Sequence, residues 1–343
     1  MSVFHNLKVK NIKKETSSSV VISFNVSQDL ISFFNYLPGQ YVSLKLLIDN
    51  REVLRDYSIC SSKKEVLSIA IKEIPEGYAS CFLNNSVNIG DVIMVSSPRG
   101  KFVLDDNLVE DTIGIAAGSG ITPIMSMLKT TLFEKSNKFF LIYSNKSPEE
   151  TMFLSDLIKL KEDYPDRLFL NLVYTKIEIE KHYFGRINSS NISNLIGFEN
   201  LHNNKIYICG PEKMLFEVKA GLEMNNVLNE NICYELFKSS EENKFVTNDK
   251  GGVEIIYTVD DYTTKIKSTK EKTVLDSALD NDIDAPYSCS GGVCGSCIGR
   301  LKNGDIKMLK NTVLTDSEVS DGLILACQAI PVSDTLEVDF DDV

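Results

Sequence analysis

The chain has 343 residues, enough for two or three domains of roughly 150 residues each. Its hydrophobic content of 43% and charged content of 24% are ordinary for a globular protein, and no apolar run approaches the ~18 residues of a membrane span. The net charge of −12 disfavours nucleic acid, and residues 252–343 carry most of it, with 17 acidic and 8 basic side chains. Since residues 1–10 show no hydrophobic signal core, we expect a cytoplasmic protein with no membrane and no nucleic-acid partner.

The first region, residues 1–106, is predicted to be antiparallel β-structure. Apolar or alternating segments lie between turn signals and predict strands over 20–26, 41–48 and 66–72. At the end of a β segment, Arg55, Tyr57 and Ser58 form the pattern R-x-Y-S. The arginine suits a phosphate, and the tyrosine, on the same strand face, can pack against a flavin ring while the serine bonds the edge of the ring. A surface arginine in an ion pair explains the same pattern.

A second motif of this region is the pair Gly77 and Ser80, which precedes a short apolar segment. A glycine and a serine at the start of a helix can present N–H groups and a hydroxyl to a pyrophosphate. An ordinary helix N-cap is the alternative interpretation.

The second region, residues 107–238, changes to strands that alternate with helices. Strands are predicted over 112–116, 138–144, 168–174, 205–209 and 232–237, and helices follow Pro123, Pro148 and Pro211. Such alternation indicates a parallel sheet flanked by helices, which binds ligands at the carboxyl ends of its strands.

Two turns of this region are candidate dinucleotide sites at that edge of the sheet. The first contains Gly118 and Gly120, followed by Thr122 as the expected N-cap of a helix, and its glycines allow backbone N–H groups to approach a pyrophosphate. The pattern is not G-x-G-x-x-G, and a plain strand–helix turn is the alternative. The second turn, Cys209-Gly210-Pro211, ends another strand at the same edge.

A polar stretch over 239–251 is predicted to link these regions to a third, residues 252–343. There we expect a hairpin over 253–259 and 262–268 and a helix after Thr273. Four cysteines follow, three with the spacing C-x4-C-x2-C and a fourth after 29 intervening residues, which is the plant-type spacing for a 2Fe–2S cluster. They are Cys289, Cys294, Cys297 and Cys327. A zinc site, which usually has two C-x2-C pairs, and two disulfides are the alternatives.

Together these motifs resemble the ferredoxin–NADP reductase superfamily fused to a C-terminal plant-type ferredoxin. The resemblance also rests on residues 98–102 (P-x-G-x-F), 117–123 (A-G-S-G-I-T-P) and 287–297. It implies an antiparallel β-barrel flavin domain, an α/β parallel-sheet nucleotide domain and an α+β (β-grasp) ferredoxin domain. Phthalate-dioxygenase-type reductases share the domain order but bind FMN, and the G-x-x-S at residues 77–80 favours FAD. The chain departs from the family at Ser290, where these reductases often carry Lys or Arg.

The resemblance also assigns roles to residues. Arg55 would hold an FAD phosphate, Tyr57 would pack on the isoalloxazine and Ser58 would bond near N5, while Gly77 and Ser80 would lie on the pyrophosphate. The residues of the NAD(P) crevice would be Gly118, Gly120, Thr122, Cys209, Gly210 and Pro211. Ser58 and Cys209 would be the catalytic residues, and Glu235 and Phe237 would close over the flavin, unless they belong to an apolar core strand.

The implied function is that of a reductase that passes electrons from NADPH through FAD and a 2Fe–2S cluster to a separate oxygenase. The resemblance to the reductase component of phenylacetyl-CoA epoxidase suggests that type of partner; the alternatives are a ring-hydroxylating or ketosteroid oxygenase, or another acceptor protein. NADPH is expected, with NADH as the alternative, because Lys146, with Ser144 and Ser147, suits a 2′-phosphate. A solvent-exposed lysine that binds no ligand explains the same loop, and Glu149 and Glu150 just downstream could offset its charge. A stand-alone flavodoxin or ferredoxin reductase and a zinc-binding interaction protein remain alternatives.

Overall fold

The computed structural model describes residues 4–49, 51–105, 110–197, 204–236, 252–281, 283, 285–287, 291–292, 295–311 and 313–343. The chain forms two compact units, one within residues 3–237 and the other mainly within residues 238–343. The predictions for Phe237, Cys289 and Cys294 lie outside the described residues. No helix in the described ranges is long and apolar enough to cross a membrane.

The first part of the larger unit is a six-stranded antiparallel barrel. Its elements are β1 (Phe4–Thr16), β2 (Ser19–Asn25), β3 (Tyr41–Ile48), β4 (Arg51–Ser58), β5 (Ser68–Lys72), α1 (Tyr78–Asn85) and β6 (Val92–Ser96). The strand order is β4-β3-β6-β1-β2-β5, and a bridge between Ile59 and Ile69 joins the two end strands. Alternate apolar residues such as Ile22, Phe24 and Leu44 fill the barrel. The predicted antiparallel β-barrel is confirmed.

The second part of the larger unit is a parallel sheet flanked by helices, as predicted. Its elements are β7 (Thr112–Ala117), α2 (Ile121–Glu134), β8 (Phe139–Asn145), α3 (Leu154–Asp163), β9 (Leu168–Tyr174), β10 (Tyr183–Phe184), α4 (Ile192–Ile196), β11 (Lys205–Gly210), α5 (Glu212–Met224) and β12 (Ile232–Leu236). The strand order is β10-β9-β8-β7-β11-β12. Strands β8, β9 and β10 lie on one side of β7, and β11 and β12 lie on its other side. Doubly wound sheets bind their ligands at the carboxyl ends of the two strands where the order changes sides, here β7 and β11.

Two helix starts differ from the prediction. Residues 118–120 already form a 3-10 turn, so α2 begins at Ile121, and Thr122 is its second residue instead of its N-cap. The Thr122 hydroxyl donates to the Ser119 carbonyl at 3.1 Å. The expected helix after Pro148 is a single 3-10 turn, and α3 starts only at Leu154, after Phe153 in the left-handed conformation (φ +60°).

The smaller unit has a mixed sheet and two short helices among the described residues. Its elements are β13 (Gly252–Val259), β14 (Tyr262–Thr269), α6 (Val274–Leu279), β15 (Ile298–Asn303), β16 (Ile306–Met308), α7 (Asp316–Ser320), β17 (Leu323–Leu325), β18 (Ala329–Pro331) and β19 (Thr335–Asp339). The main sheet has the order β14-β13-β19-β15-β17, with β13 and β19 parallel. The Thr273 hydroxyl caps α6 by accepting the Asp276 N–H at 3.0 Å. The hairpin and the α+β fold are as predicted.

Candidate functional site

Strand β4 presents a cation and an aromatic ring on one face. Arg55 and Tyr57 lie two residues apart, so their side chains leave the strand on the same side. Arg55 is exposed, and its Nη1 donates to the Leu54 carbonyl at 2.7 Å; within the described part of the chain it forms no ion pair with a carboxylate. Tyr57 packs against the barrel core, and burial raises its pKa to about 12, so it is a neutral phenol at physiological pH. A cation with no carboxylate partner among the described residues, on the same strand face as a partly buried ring, suits a ligand with a phosphate and a planar group.

Ser58 ends this strand and is buried, opposite Tyr41 of β3. The neighbouring side chain on the strand, Asp56, is engaged by the Ser43 hydroxyl, to which Arg99 Nη2 also donates at 2.6 Å. The guanidinium of Arg99 lies 5.7 Å from the centre of the Tyr41 ring. The P-x-G-x-F loop is therefore fixed to the strand next to the R-x-Y-S motif.

The Gly77 and Ser80 pair shapes the turn before α1. A Cβ on Gly77 would lie 2.6 Å from Ser80 Oγ and 2.9 Å from the Ile74 carbonyl oxygen, so the turn needs glycine. The Ser80 hydroxyl is buried, accepts the Ile74 N–H at 3.1 Å and donates to the Gly77 carbonyl at 3.2 Å. In this structure the Ser80 hydroxyl stabilises the turn through these two hydrogen bonds, and its expected contact with a pyrophosphate stays a prediction.

The two glycine-containing motifs of the parallel sheet lie directly against each other. A Cβ on Gly120 would be 2.2 Å from the Cys209 carbonyl oxygen and 2.8 Å from the Gly210 nitrogen. Gly118, in contrast, has a positive φ of +54°, and a Cβ added there would meet no atom of the described residues within 4 Å. One glycine thus permits the contact between the two turns, and the other leaves open space where a ligand can approach the backbone. Gly210 is buried, and exposed Pro211 leads into α5.

Cys209 and Glu235 are neighbours at the carboxyl ends of β11 and β12, where they are paired in register. Both side chains are buried. Burial, and next the negative charge of Glu235, raise the pKa of the Cys209 thiol well above its usual value, so the sulfur stays protonated. The site offers a neutral thiol beside an acidic side chain.

The loops after β8 and β9 bring two lysines together. Lys146 follows β8, and the Lys176 N–H after β9 donates to the Lys146 carbonyl at 3.0 Å. The Lys146 ammonium forms an ion pair with Glu150 at 3.3 Å, and Lys72 of β5 lies 3.9 Å from the same carboxylate. Lys176 is exposed and forms no ion pair with any residue that the structure describes. Sequence analysis missed Lys176, although it follows β9 as Lys146 follows β8.

Two of the four predicted cluster ligands fall within the described residues. Cys297 and Cys327 are buried in the core of the smaller unit, and the Ala326 N–H donates to the Cys297 carbonyl at 3.0 Å, which brings the two cysteine segments together. Gln328 Nε2 lies 3.6 Å from the Cys327 sulfur and can donate to it. Gly292, with φ +75°, has no room for a side chain because a Cβ would meet the Gln328 side chain at 2.7 Å. Thiol sulfurs with N–H donors fit a cluster held by thiolates.

Three domain families match the chain in the order of these sites. They are an oxidoreductase FAD-binding domain over residues 6–104, an oxidoreductase NAD-binding domain over 115–219 and a 2Fe–2S iron–sulfur cluster binding domain over 257–332. The predicted cofactors FAD, NAD(P) and a 2Fe–2S cluster are therefore confirmed at the level of these domains.

Two characterised relatives and one solved structure cover nearly the whole chain. A component of the 1,2-phenylacetyl-CoA epoxidase of Escherichia coli (strain K12) is 32% identical over 99% of this chain and 99% of its own length. The ferredoxin reductase component of the 3-ketosteroid-9-alpha-monooxygenase of Mycolicibacterium smegmatis is 33% identical over 98% and 97%. Phthalate dioxygenase reductase has the same fold, with a TM-score of 0.68 and 23% identity over 98% of both chains. The chain belongs to the family of FAD- and NAD-binding oxidoreductases with a 2Fe–2S domain that serve as reductase components of oxygenases.

Proposed function

We propose that this reductase passes electrons from NADPH through FAD and its 2Fe–2S cluster to a separate oxygenase of the phenylacetyl-CoA epoxidase type. The similarity to a component of that epoxidase, over 99% of both chains, is the observation that carries the choice of partner. When bound, the flavin would take up a hydride from the nicotinamide and release single electrons, which the cluster would carry.

The barrel residues are proposed to hold the flavin. Arg55 would donate to an FAD phosphate, because it is an exposed cation with no carboxylate partner among the described residues. Tyr57 would pack against the isoalloxazine ring, and the Ser58 hydroxyl, at the end of β4, would donate a hydrogen bond to the flavin near N5. Gly77 and Ser80 would keep the turn before α1 open to the pyrophosphate.

The carboxyl edge of the parallel sheet is proposed to hold the dinucleotide. The open space at Gly118 would admit the pyrophosphate, and Gly120 lets this turn lie against residues 209–211. The neutral thiol of Cys209 would face the nicotinamide without bringing a negative charge to it. Glu235, with Phe237 beyond the described residues, would close over the flavin.

The preference for NADPH is proposed to come from the two adjacent lysines. Lys146 is paired with Glu150, whereas Lys176 is exposed and has no ion-pair partner among the described residues, so a 2′-phosphate could be held by the Lys176 ammonium with Lys146 beside it. Steady-state kinetics with both dinucleotides test this. We expect Lys146→Ala and Lys176→Ala each to lower the NADPH/NADH ratio of kcat/KM by about three- to tenfold, whereas Glu150→Gln raises it. A wild-type ratio below one, or no response to either lysine variant, would contradict NADPH as the donor.

A second partner is supported by an equally similar relative, the reductase component of the 3-ketosteroid-9-alpha-monooxygenase, at 33% identity. Reconstitution separates the two. Purified protein would be mixed with NADPH and either the oxygenase component of phenylacetyl-CoA epoxidase and phenylacetyl-CoA, or the ketosteroid oxygenase and a 3-ketosteroid. We expect product in the first mixture. Product in the second alone would reassign the partner, and colourless protein without flavin or cluster absorption would remove the proposed electron-transfer function.

A further inference from the structure

One face of α2 is hydrogen-bonded to the turn that follows β4, the strand proposed to bind the flavin. We call residues 61–65 the docking turn. Ser126, Lys129 and Phe133 lie three and four residues apart, so they share a face of the helix. The Ser126 hydroxyl donates to the Ser61 carbonyl at 2.6 Å, and the Lys129 ammonium donates to Glu65 Oε1 at 2.8 Å. At the end of the helix, the Phe133 carbonyl accepts from Lys64 Nζ at 2.8 Å.

The docking turn is itself held by hydrogen bonds. The Tyr36 hydroxyl lies 2.8 Å from the Ser62 carbonyl and 3.1 Å from the Ser61 carbonyl. The Ser62 N–H donates to Glu65 Oε2 at 2.8 Å, and the Ser68 N–H donates to Ser61 Oγ at 3.1 Å. The turn is therefore hydrogen-bonded to Tyr36 and Ser68 outside it and closed by a hydrogen bond within it, and α2 packs on this bonded turn.

The docking turn and α2 are each close in sequence to one part of the proposed reaction site, the turn to the flavin site and the helix to the dinucleotide site. The docking turn begins three residues after Ser58, which ends the proposed flavin strand. Helix α2 begins one residue after Gly120, in the proposed dinucleotide turn. A sliding or tilting of α2 on the docking turn therefore changes the position of the nicotinamide relative to the flavin.

We propose that Ser126 is a positioning residue that sets the distance and angle between nicotinamide and flavin through its hydrogen bond to the docking turn. This inference rests on the proposed function, since it assumes that both cofactors bind at these motifs. Ser126 is fully buried, so solvent does not reach its hydroxyl, and its removal takes away the 2.6 Å hydrogen bond to the Ser61 carbonyl. A displacement of about 1 Å between reacting groups can lower a rate by roughly two orders of magnitude.

The test is Ser126→Ala in the full-length protein with flavin and cluster bound. We expect the rate of flavin reduction at saturating NADPH, measured by stopped flow, to fall about tenfold or more. The dissociation constant of the dinucleotide for the oxidised protein should stay within about twofold, because Ser126 does not contact it. The deuterium isotope effect should become more temperature-dependent, and hydrogen exchange of the docking turn and of the first turn of α2 should increase.

The matched control is Thr131→Val on the same helix. Its buried hydroxyl donates to the Met127 carbonyl at 2.9 Å, entirely within α2, so its loss affects stability but not the docking contact. A Ser126→Ala protein whose reduction rate matches that of Thr131→Val overturns the inference, provided that the wild type is reduced by NADPH. A wild type that is not reduced contradicts the proposed function instead.

A second variant applies if Ser126→Ala fails to bind flavin. Lys129→Met keeps the apolar stem and removes the ion pair with Glu65 at the rim of the same contact. We expect a two- to fourfold slower reduction with unchanged dinucleotide affinity. A rate equal to the wild-type rate in this variant overturns the inference.

Discussion

The carboxyl edge of the parallel sheet and the cluster region of the smaller unit each bury cysteines, but the groups beside the sulfur have opposite electrostatic effects on its protonation. Cys209 has the carboxylate of Glu235 as its charged neighbour, and the pKa of its thiol is raised well above the usual value. Cys327 has the side-chain amide of Gln328 at 3.6 Å from its sulfur. Burial is almost complete at both positions.

The difference shows that burial alone does not decide what a cysteine does. A nearby negative charge favours the neutral thiol, which can lie beside a nicotinamide without reacting with metal or oxidant. An N–H donor aimed at sulfur favours the thiolate that a 2Fe–2S cluster requires. The groups beside each sulfur, and not the cysteines themselves, therefore distinguish the proposed hydride-transfer site from the proposed electron-transfer site.

The largest effect is expected from Cys327→Ser, which removes a proposed ligand of the cluster. The visible absorption of the cluster should be lost, and NADPH-dependent reduction of cytochrome c should fall sharply, while flavin binding and ferricyanide reduction persist because the ligand lies in a separate compact unit. Absorption spectra and both assays check this. Cys81→Ser, at a half-buried cysteine of the barrel, is the control and should keep the cluster. Loss of flavin from Cys327→Ser would show that the two regions are not independent.

Arg55→Ala tests the opposite case, in which flavin binding is weakened while the cluster is retained. Removal of a charge-assisted hydrogen bond worth roughly 1.5–3 kcal/mol should raise the dissociation constant of FAD about tenfold or more and leave the cluster absorption intact. Equilibrium titration of the flavin-free protein measures it. Lys63→Ala, an exposed cation of the docking turn, is the control. Unchanged FAD affinity in Arg55→Ala would assign Arg55 to the surface and weaken the role of the R-x-Y-S motif.

The smallest effect concerns the protonation of Cys209. Because its pKa is raised in the folded protein, the native state keeps a proton that the unfolded chain releases near pH 9, so stability should fall as the pH rises above about 9. The loss is about 1.4 kcal/mol per pH unit for one such group. Cys209→Ala should therefore show a shallower decrease of Tm between about pH 8 and 10.5 than the wild type. Part of the slope should remain, since the pKa of buried Cys60 is raised to about 12. Identical slopes would mean that the Cys209 thiol is not held neutral.

The sequence predicted most of the sheet positions because apolar strands end at clear turn residues. Strands β3 and β9 have the predicted bounds, and the parallel pairing of the strands follows from their alternation with helices. Helix starts were less predictable. The 3-10 turn at residues 118–120 and the left-handed conformation of Phe153 depend on the path of the backbone between elements. The spacing of apolar residues in the sequence does not predict that path.

The site was predictable where a motif is short and local, and not where it depends on distant partners. The ion pair between Lys146 and Glu150 is local, and both residues are close in sequence. The nearness of Lys176 requires the parallel pairing of β8 and β9, and the contact between Ser126 and Ser61 joins residues 65 positions apart. Such pairs are visible only after the sheet and the barrel are assembled.

The close approach of Gly120 to the Cys209 carbonyl has a consequence for chimeric reductases. The two segments are about ninety residues apart, yet they lie so close that a Cβ at position 120 would overlap the Cys209 carbonyl oxygen. A recombination crossover between β7 and β11 would join a turn from one parent to a strand end from another, and any mismatch of a few tenths of an ångström would fall on this contact. Grafts that exchange coenzyme specificity are best made with both segments from the same parent, with crossovers placed before β7 and after β12.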